Sequence, residues 1–533
     1  MNYLKIGIDV GGTNTDAVLL DQENRLLAAL KSPTTADVAT GIWNAVDGVL
    51  QQAAVDPGAI RHVMVGTTAC TNALIERKGL ARTAVIRLGA PATTSVEPLF
   101  AWEDDLRLAI GGGQSYLCQG GFEYDGRLID TEPDRQEIEG VIRELQAANV
   151  EAVAVAGVFS PVRPDHEKQV AAWLAAALGP DVPISLSYEI GSIGLLEREN
   201  SAVLNATLAR VASNFTRGVE QGLQERGIRA EVFFSQNDGT LMALDYARRY
   251  PILTIGSGPT NSIRGAAFLT GLSDCVVVDI GGTSTDVGVL VRGFPRQSAI
   301  AVEIGGVQTN FRMPDLVSVG LGGGSIIRPG AHGLSIGPDS VGYRLSQAGL
   351  AWGGSTLTTT DVVIAAGRAQ IADPRCDPAR VAHLEPGLLE TAQRQIRQTV
   401  ETCIDRIRTS ALPVPVVLVG GGSILAPDAL AGAAAVIRPE NYMYANAIGA
   451  AIAQVSGEVD RMWALEGISH AEAVEQARQE AIQEAIRAGA DPQTVGIVDV
   501  EDTPLAYLPG VAVRIRAKAA GTLRTVVWQE SQS

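Results

Sequence analysis

Short apolar runs alternate with glycine-rich or polar breaks and with amphipathic stretches along most of the chain. Residues 6–10 and 17–20 are apolar around a polar, glycine-containing centre, a pattern that predicts strand, turn and strand. A third strand is expected over 26–31, a helix over 38–53 and a short buried strand over 62–66. Residues 67–77 read as a hydroxyl cluster opening a helix, and 82–88 as a strand. Residues 90–127 show no period and carry Gly111-Gly112-Gly113 and Gly120-Gly121; they read as an irregular insertion over a cleft. Helices follow over 134–148 and 166–178, with strands at 151–159 and 184–187. A long helical run spans 197–224 and leads to a strand that enters a polar turn over 232–239. Residues 256–262 read as a turn that opens a helix at about 263–269. Near the end, 416–423 is a strand running into a triple-glycine turn, followed by a helix over 469–488 and strands over 494–500 and 511–517. Alternating strands and helices imply a parallel or mixed α/β sheet covered by helices.

One segment occurs twice. Asp9-Val10-Gly11-Gly12-Thr13-Asn14-Thr15-Asp16 returns as Asp279-Ile280-Gly281-Gly282-Thr283-Ser284-Thr285-Asp286, each flanked by apolar strands. Internal similarity decides the fold before other signals do, and two copies so far apart point to two domains of one design facing a cleft. Glycines let backbone approach a ligand closely, and successive N–H groups form an anion-binding concavity. Asp9 and Asp279 close their strands where each could hold a divalent cation or its water, a hard-ligand arrangement that often brings nucleotide phosphates. A single copy fits a structural hairpin as readily; two matching copies favour a two-sided phosphate clamp. Asp16 and Asp286 have a plainer alternative, pinning their own turns through Asx hydrogen bonds. Thr67 and Thr68 could place free helix N–H groups on an anion or simply cap the helix.

Composition narrows the picture. With 533 residues the chain should hold at least two domains. We expect residues 1–195 as a first domain with the insertion near 90–130, 196–490 as a second, and 491–533 as a small C-terminal strand segment packed on the rest. A net charge of −17 argues against nucleic-acid or anionic-membrane partners. The five cysteines are scattered without a Cys-x-x-Cys pair, and the five histidines lack metal-ligand spacing. The first residues enter a strand at once without a signal peptide, and the most apolar stretch, 414–437, is broken by glycines, Pro427 and Asp428. A cytoplasmic protein is the expectation.

Neither a P-loop nor a Gly-x-Gly-x-x-Gly fingerprint is present. The paired turns instead resemble the two phosphate motifs of the actin, Hsp70 and sugar-kinase superfamily, with 416–423 where that superfamily has its adenosine motif. More narrowly, Asp9–Asp16, the Gly66–Gly79 block, Glu197-Arg198 with Asn205, Gly281–Asp286, Gly322–Ser325, Gly337–Ser340 and Leu505–Gly510 resemble the hydantoinase A/5-oxoprolinase family. Two departures stand out: 341–346 lacks the family's pattern, and Asn261 and Ser262 stand where glycines are expected. The resemblance implies an α/β fold of two actin-like, ribonuclease H-like ATPase domains around a nucleotide cleft. It implies ATP and Mg²⁺ as cofactors, O-phosphorylation of a small cyclic amide or related carbonyl compound, and a hydantoinase B-type or other partner subunit in a homo- or hetero-oligomer. On that basis Asp9 and Asp279 are the catalytic and metal-binding acids. Gly11, Gly12, Thr13, Asn14, Gly281, Gly282, Thr283 and Ser284 would take the phosphates, and Gly420, Gly421, Gly422 and Ser423 the adenosine. Thr67, Thr68, Asn72 and Asp238 are candidates for the substrate side, with Glu197 and Arg198 as further polar candidates. Two other classes compete: a sugar or small-alcohol kinase of the same superfamily, and an ATPase that reactivates or remodels another protein.

Overall fold

A computed structural model describes residues 3–12, 14–33, 38–298, 302–311, 313–330, 333–465, 467–504 and 512–524. Thr13 and the 505–510 motif lie outside them.

Strands β1 (Leu4–Val10), β2 (Asn14–Leu20) and β3 (Leu26–Pro33) form an antiparallel run, and β4 (Ile60–Thr67) joins β1 in parallel. The chain then builds a separate parallel sheet from β5 (Thr83–Ala90), β6 (Gln114–Gln119), β7 (Ala152–Gly157) and β8 (Ile184–Leu186), in the order β6-β5-β7-β8. The segment read as irregular therefore supplies a helix, Asp104–Ala109, and the edge strand β6. Only Cys118 of β6 is fully buried, so the strand leaves no apolar run in the sequence. Helix Leu195–Glu225 carries the chain back to β9 (Glu231–Ser235), parallel to β4, and β10 (Leu241–Ala243).

The second half repeats the plan. Strands β11 (Cys275–Ile280), β12 (Thr285–Val291) and β13 (Phe294–Pro295) are antiparallel. A hairpin of β14 (Val302–Ile304) and β15 (Val307–Thr309), strand β16 (Leu316–Val319) against β12, and a second hairpin of β17 (Ser325–Gly330) and β18 (Gly333–Ser340) follow. Strands β19 (Val414–Val419) and β20 (Ala433–Ile437) then extend β11 in parallel. The orders β3-β2-β1-β4-β9 and β13-β12-β11-β19-β20 match, and in both the second strand runs against all the others. This is the ribonuclease H-like arrangement, present twice, as in the actin-like ATPases.

The division by sheets differs from the division by sequence span. Strands β9, β10 and β21 (Val455–Ala464) fall inside the span expected for the second domain but pair with the first sheet, and so do β22 (Gly496–Pro504) and β23 (Ala512–Gly521) from the expected C-terminal segment. Among the described residues the first sheet has nine strands, in the order β22-β23-β21-β10-β9-β4-β1-β2-β3. The C-terminal strands thus complete that sheet instead of standing as a separate segment. Helix His470–Arg487 covers them with a buried stripe of Ala473, Ala477, Ala481 and Ala485 at one-turn spacing. Small side chains let it lie so close that a Cβ on Gly457 would come within 2.1 Å of the Ala485 nitrogen.

Two helices, Ser257–Thr270 and Ala445–Ile452, fill the seam between the two sheets. A Cβ on Gly265 would sit 1.9 Å from the Ala445 carbonyl oxygen, and one on Gly449 1.9 Å from that of Asn261. Only hydrogen in place of a side chain allows this approach. Gly7 of β1 is under the same constraint, a Cβ there falling 2.3 Å from the Ala447 carbonyl oxygen. The inserted sheet is pinned to helix Leu195–Glu225 by Arg87, whose guanidinium grips Glu199 through two bonds of 2.6 and 2.7 Å with both side chains buried. Among the described residues no helix is long and apolar enough to cross a membrane.

Candidate functional site

The two acidic turns are built alike. In each, the first glycine N–H donates to a carbonyl three residues on: Gly11 to Asn14 at 3.0 Å and Gly281 to Ser284 at 2.9 Å. Across the hairpins Asp9 faces Asp16 and Asp279 faces Asp286. The two copies differ in how the second acid is satisfied. Lys31 Nζ lies 2.5 Å from both oxygens of Asp16, whereas among the described residues the Asp286 side chain accepts from the Ser318 hydroxyl alone. Both partners sit on neighbouring strands, so the Asx pinning considered for these acids is not what holds them.

Asp9 and Asp279 close their strands near enough to repel one another. Burial first, then the carboxylates of Asp16 and Asp279, push the Asp9 carboxyl up to about 7. Burial likewise raises Asp279 to about 6 against the opposing pull of the Ser262 hydroxyl. Buried like charges of this kind are relieved by a cation. Among the described residues no group of three or more metal-ligating side chains gathers anywhere. Two carboxylates suit Mg²⁺, which keeps several waters and takes its other oxygens from phosphate. The residues present therefore fit hydrated Mg²⁺ with a nucleotide, and Asp9 and Asp279 are the groups that would hold it.

The triple-glycine turn lies directly on the second acid. A Cβ on Gly420, which has φ +80°, would fall 2.2 Å from Asp279 Oδ1, and one on Gly422 2.5 Å from the Gly281 carbonyl oxygen. Side-chain positions at Gly12 and Gly421 meet nothing within 4 Å, so both present bare backbone to open space. Ser423 is buried, and its hydroxyl has no partner among the described residues. The Gly320–Gly324 loop stacks on the second turn through Gly323 N–H to Gly281 O (3.0 Å) and Gly324 N–H to Gly282 O (2.7 Å). Buried Thr359 and Thr360 support that loop by donating to the carbonyls of Gly322 and Gly323. Neither threonine belongs to a motif of its own in the sequence; a capping box at Thr358 and Asp361 is the signal that marks them.

Of the substrate-side candidates, three gather at the first turn. Parallel pairing sets Gly66 beside Asp9 and Thr67 beside Val10. Thr68 Oγ1 donates to the Val10 carbonyl at 3.2 Å, Asn72 Nδ2 donates to Thr68 Oγ1 at 3.3 Å, and Thr67 Oγ1 accepts from the Ala69 N–H at 3.1 Å. Asp238 lies elsewhere. It is buried against Lys518 Nζ at 2.5 Å, with the Thr240 and Ser456 hydroxyls donating to it. Burial alone would raise its carboxyl, but the Lys518 ammonium and the bonds from Thr240 hold it near 2. Arg198 is buried as well, donating to Ser187 Oγ at 2.9 Å and Ser192 O at 3.0 Å beside the buried Glu167. Asp238 and Arg198 do the work of interior cross-links. The Gly256–Ser262 segment is not a turn before a helix: the helix begins at Ser257, with Gly256 (φ +77°) as its entry, so Asn261 and Ser262 stand on it.

Two family signatures cover most of the chain. Hydantoinase/oxoprolinase N-terminal region matches residues 5–178, and Hydantoinase/oxoprolinase matches residues 198–407. The chain belongs to the hydantoinase/oxoprolinase family. It is 27% identical to the caprolactamase subunit alpha of Pseudomonas jessenii over 397 residues, covering 68% of this chain and 54% of that protein. It is 28% identical to the acetophenone carboxylase gamma subunit of Aromatoleum aromaticum over 396 residues, covering 68% and 53%. The aligned region thus spans about half the length of these curated relatives. The crystal structure of the ATP-dependent caprolactamase from P. jessenii superposes with a TM-score of 0.74 at 19% identity, covering 98% of this chain and 88% of that one. At that identity the likeness speaks for the fold.

Proposed function

We propose that this chain binds Mg·ATP between its two acidic turns and passes the γ-phosphoryl group to the carbonyl oxygen of a small cyclic amide. The observation that carries this reading is the pair Asp9 and Asp279, set against each other on equivalent strands and flanked by glycine backbone. Phosphoryl transfer needs positioning and charge neutralisation more than covalent help from the protein. Asp9 and Asp279 hold the metal and its waters. The backbones of Gly11–Asn14 and Gly281–Ser284 take the phosphates, Gly420–Ser423 the adenosine, and Thr67, Thr68 and Asn72 border the acceptor side of the first turn.

The chemistry follows from the amide. Resonance makes its carbonyl a poor electrophile and its nitrogen a poor leaving group. Transfer of the phosphoryl group to the carbonyl oxygen breaks the bond to ADP and leaves a carbon that water can attack; loss of phosphate and C–N cleavage then open the ring. A hydantoinase B-type or comparable partner subunit would supply the water-activating half, in keeping with relatives that are themselves named as subunits. The carboxylase relative supports a second acceptor, an enolisable ketone, phosphorylated at the same oxygen.

The test is ADP release measured with hydantoins, lactams and 5-oxoproline, with simple ketones plus bicarbonate, and with sugars, each with and without the neighbouring gene product. Turnover dependent on a cyclic amide supports the proposal, and turnover with ketone and bicarbonate supports the second acceptor. Dependence on a hydroxylated sugar, or stimulation by another protein with no small acceptor, overturns it.

A further inference from the structure

Residues 261 and 262 are adjacent on one helix, yet they face different halves of the molecule. Successive side chains on an α-helix point about 100° apart. From the seam helix Ser257–Thr270 this angle sends Asn261 toward β1 and β4 of the first sheet, and Ser262 toward β11 of the second. The Asn261 amide and Asp9 Oδ1 press on the same point: a Cβ placed on Gly66 would lie 2.6 Å from Asn261 Nδ2 and 2.7 Å from Asp9 Oδ1. Ser262 Oγ stands 2.5 Å from Asp279 Oδ2 and 2.6 Å from the Asn446 side-chain oxygen. One hydroxyl proton cannot serve two acceptors. The consistent arrangement has Ser262 donating to Asp279 while the Asn446 amide, turned over, donates to Ser262; amide orientation is assigned from such networks.

Asn261 is fully buried; its amide acts on Asp9 as a hydrogen-bond donor that pulls the carboxyl down, though in strained geometry, and its Oδ1 has no partner among the described residues. Leaving a buried polar atom without a partner is costly. Ser257, one turn earlier on the same helix, adds a buried hydroxyl without a partner among the described residues.

We propose that Asn261 and Ser262 are positioning residues that fix Asp9 and Asp279 relative to each other from one rigid helix, with the Asn261 amide aimed at the ligand sphere of Asp9. The proposal rests on the reading that Mg·ATP binds between the two turns. Neither residue touches the acceptor; both act through the acids. Groups that orient metal-binding side chains typically contribute 10- to 100-fold in metal affinity or activity.

The experiment titrates Mg²⁺ at fixed concentration of a fluorescent ATP analogue and reads nucleotide binding directly, beside thermal unfolding of the ligand-free protein. For Asn261→Leu the expected result is about a 10-fold weaker Mg²⁺ dependence in a protein that still unfolds cooperatively. Ser262→Ala should weaken it similarly, and Ser262→Thr, which keeps the hydroxyl, should restore it. Wild-type Mg²⁺ dependence in Asn261→Leu and Ser262→Ala overturns the inference and leaves the ATP site standing. A fall in unfolding temperature with unchanged binding overturns it too, because that is the mark of a purely structural role. If the wild-type protein binds no nucleotide at any Mg²⁺ concentration, both the inference and the proposed function fail.

Discussion

Asp238→Asn separates an interior cross-link from a substrate contact. Asp238, in the turn between β9 and β10, and Lys518, within β23, are 280 residues apart and meet at 2.5 Å, with side chains 9% and 8% exposed. Removing the charge of one partner leaves a buried ammonium without its counter-ion, a change that costs about 3–5 kcal/mol. The pH dependence has a definite sign. The carboxyl is depressed to about 2 in the folded chain against 3.8 when unperturbed, so its contribution is complete above about pH 4 and is lost as pH falls through 2. The penalty of the substitution is therefore constant across the neutral range. Denaturant midpoints should fall by the full amount at pH 7. The double variant Asp238→Leu with Lys518→Met should recover most of it, because a well-packed apolar pair can replace a buried ion pair without loss. Acceptor-dependent ADP release, expressed per folded molecule, should stay at the wild-type level. An unchanged midpoint with collapsed turnover would refute the reasoning and return Asp238 to the substrate site.

Asp9→Asn and Asp279→Asn should each abolish turnover while the protein remains folded, which ADP release and circular dichroism check together. The ligand-free protein should lose stability as pH rises through the interval from about 4 to 7, since Asp9 (about 7) and Asp279 (about 6) bind protons in the folded state that the unfolded chain has already released. Unfolding temperatures at pH 5.5, 6.5 and 7.5 should fall in that order, with a smaller slope in Asp9→Asn. Gly420→Ala should destabilise the fold by about 1–3 kcal/mol, through its left-handed backbone and its contact with Asp279, whereas Gly421→Ala should fold normally and bind nucleotide more weakly. Glu199→Ala should cost about 3–5 kcal/mol by leaving the buried Arg87 without its counter-ion, and urea denaturation checks it.

Both hairpins were legible in the sequence because each packs its information into fifteen consecutive residues, and their repetition carried the fold class. Helix Val38–Ala53 was also legible, its apolar period intact. Strand β21 was not. Its Glu458 and Asp460 interrupt any apolar run, yet each is held by an arginine of the paired strand β23, Arg516 at 2.6 Å and Arg514 at 2.5 Å. The partner of Asp238 was equally hidden: a lone acid in a polar turn gives no sign of a lysine 280 residues away. The reach of Asn261 and Ser262 toward opposite acids depends on where the seam helix lies between two sheets, which no local pattern encodes.

The order of strands in the first sheet has a consequence for biosynthesis. Leu241 of β10 hydrogen-bonds beside Val455 of β21, and β21 in turn pairs along its length with β23. A ribosome-bound chain that has completed the whole second domain still carries a first sheet with an open edge at β10. Open edges recruit foreign strands, and pairings that close long loops form slowly. Nascent chains of this protein should therefore present their greatest demand for chaperone protection late in translation, and be relieved of it only when the alanine-striped helix and its two following strands emerge.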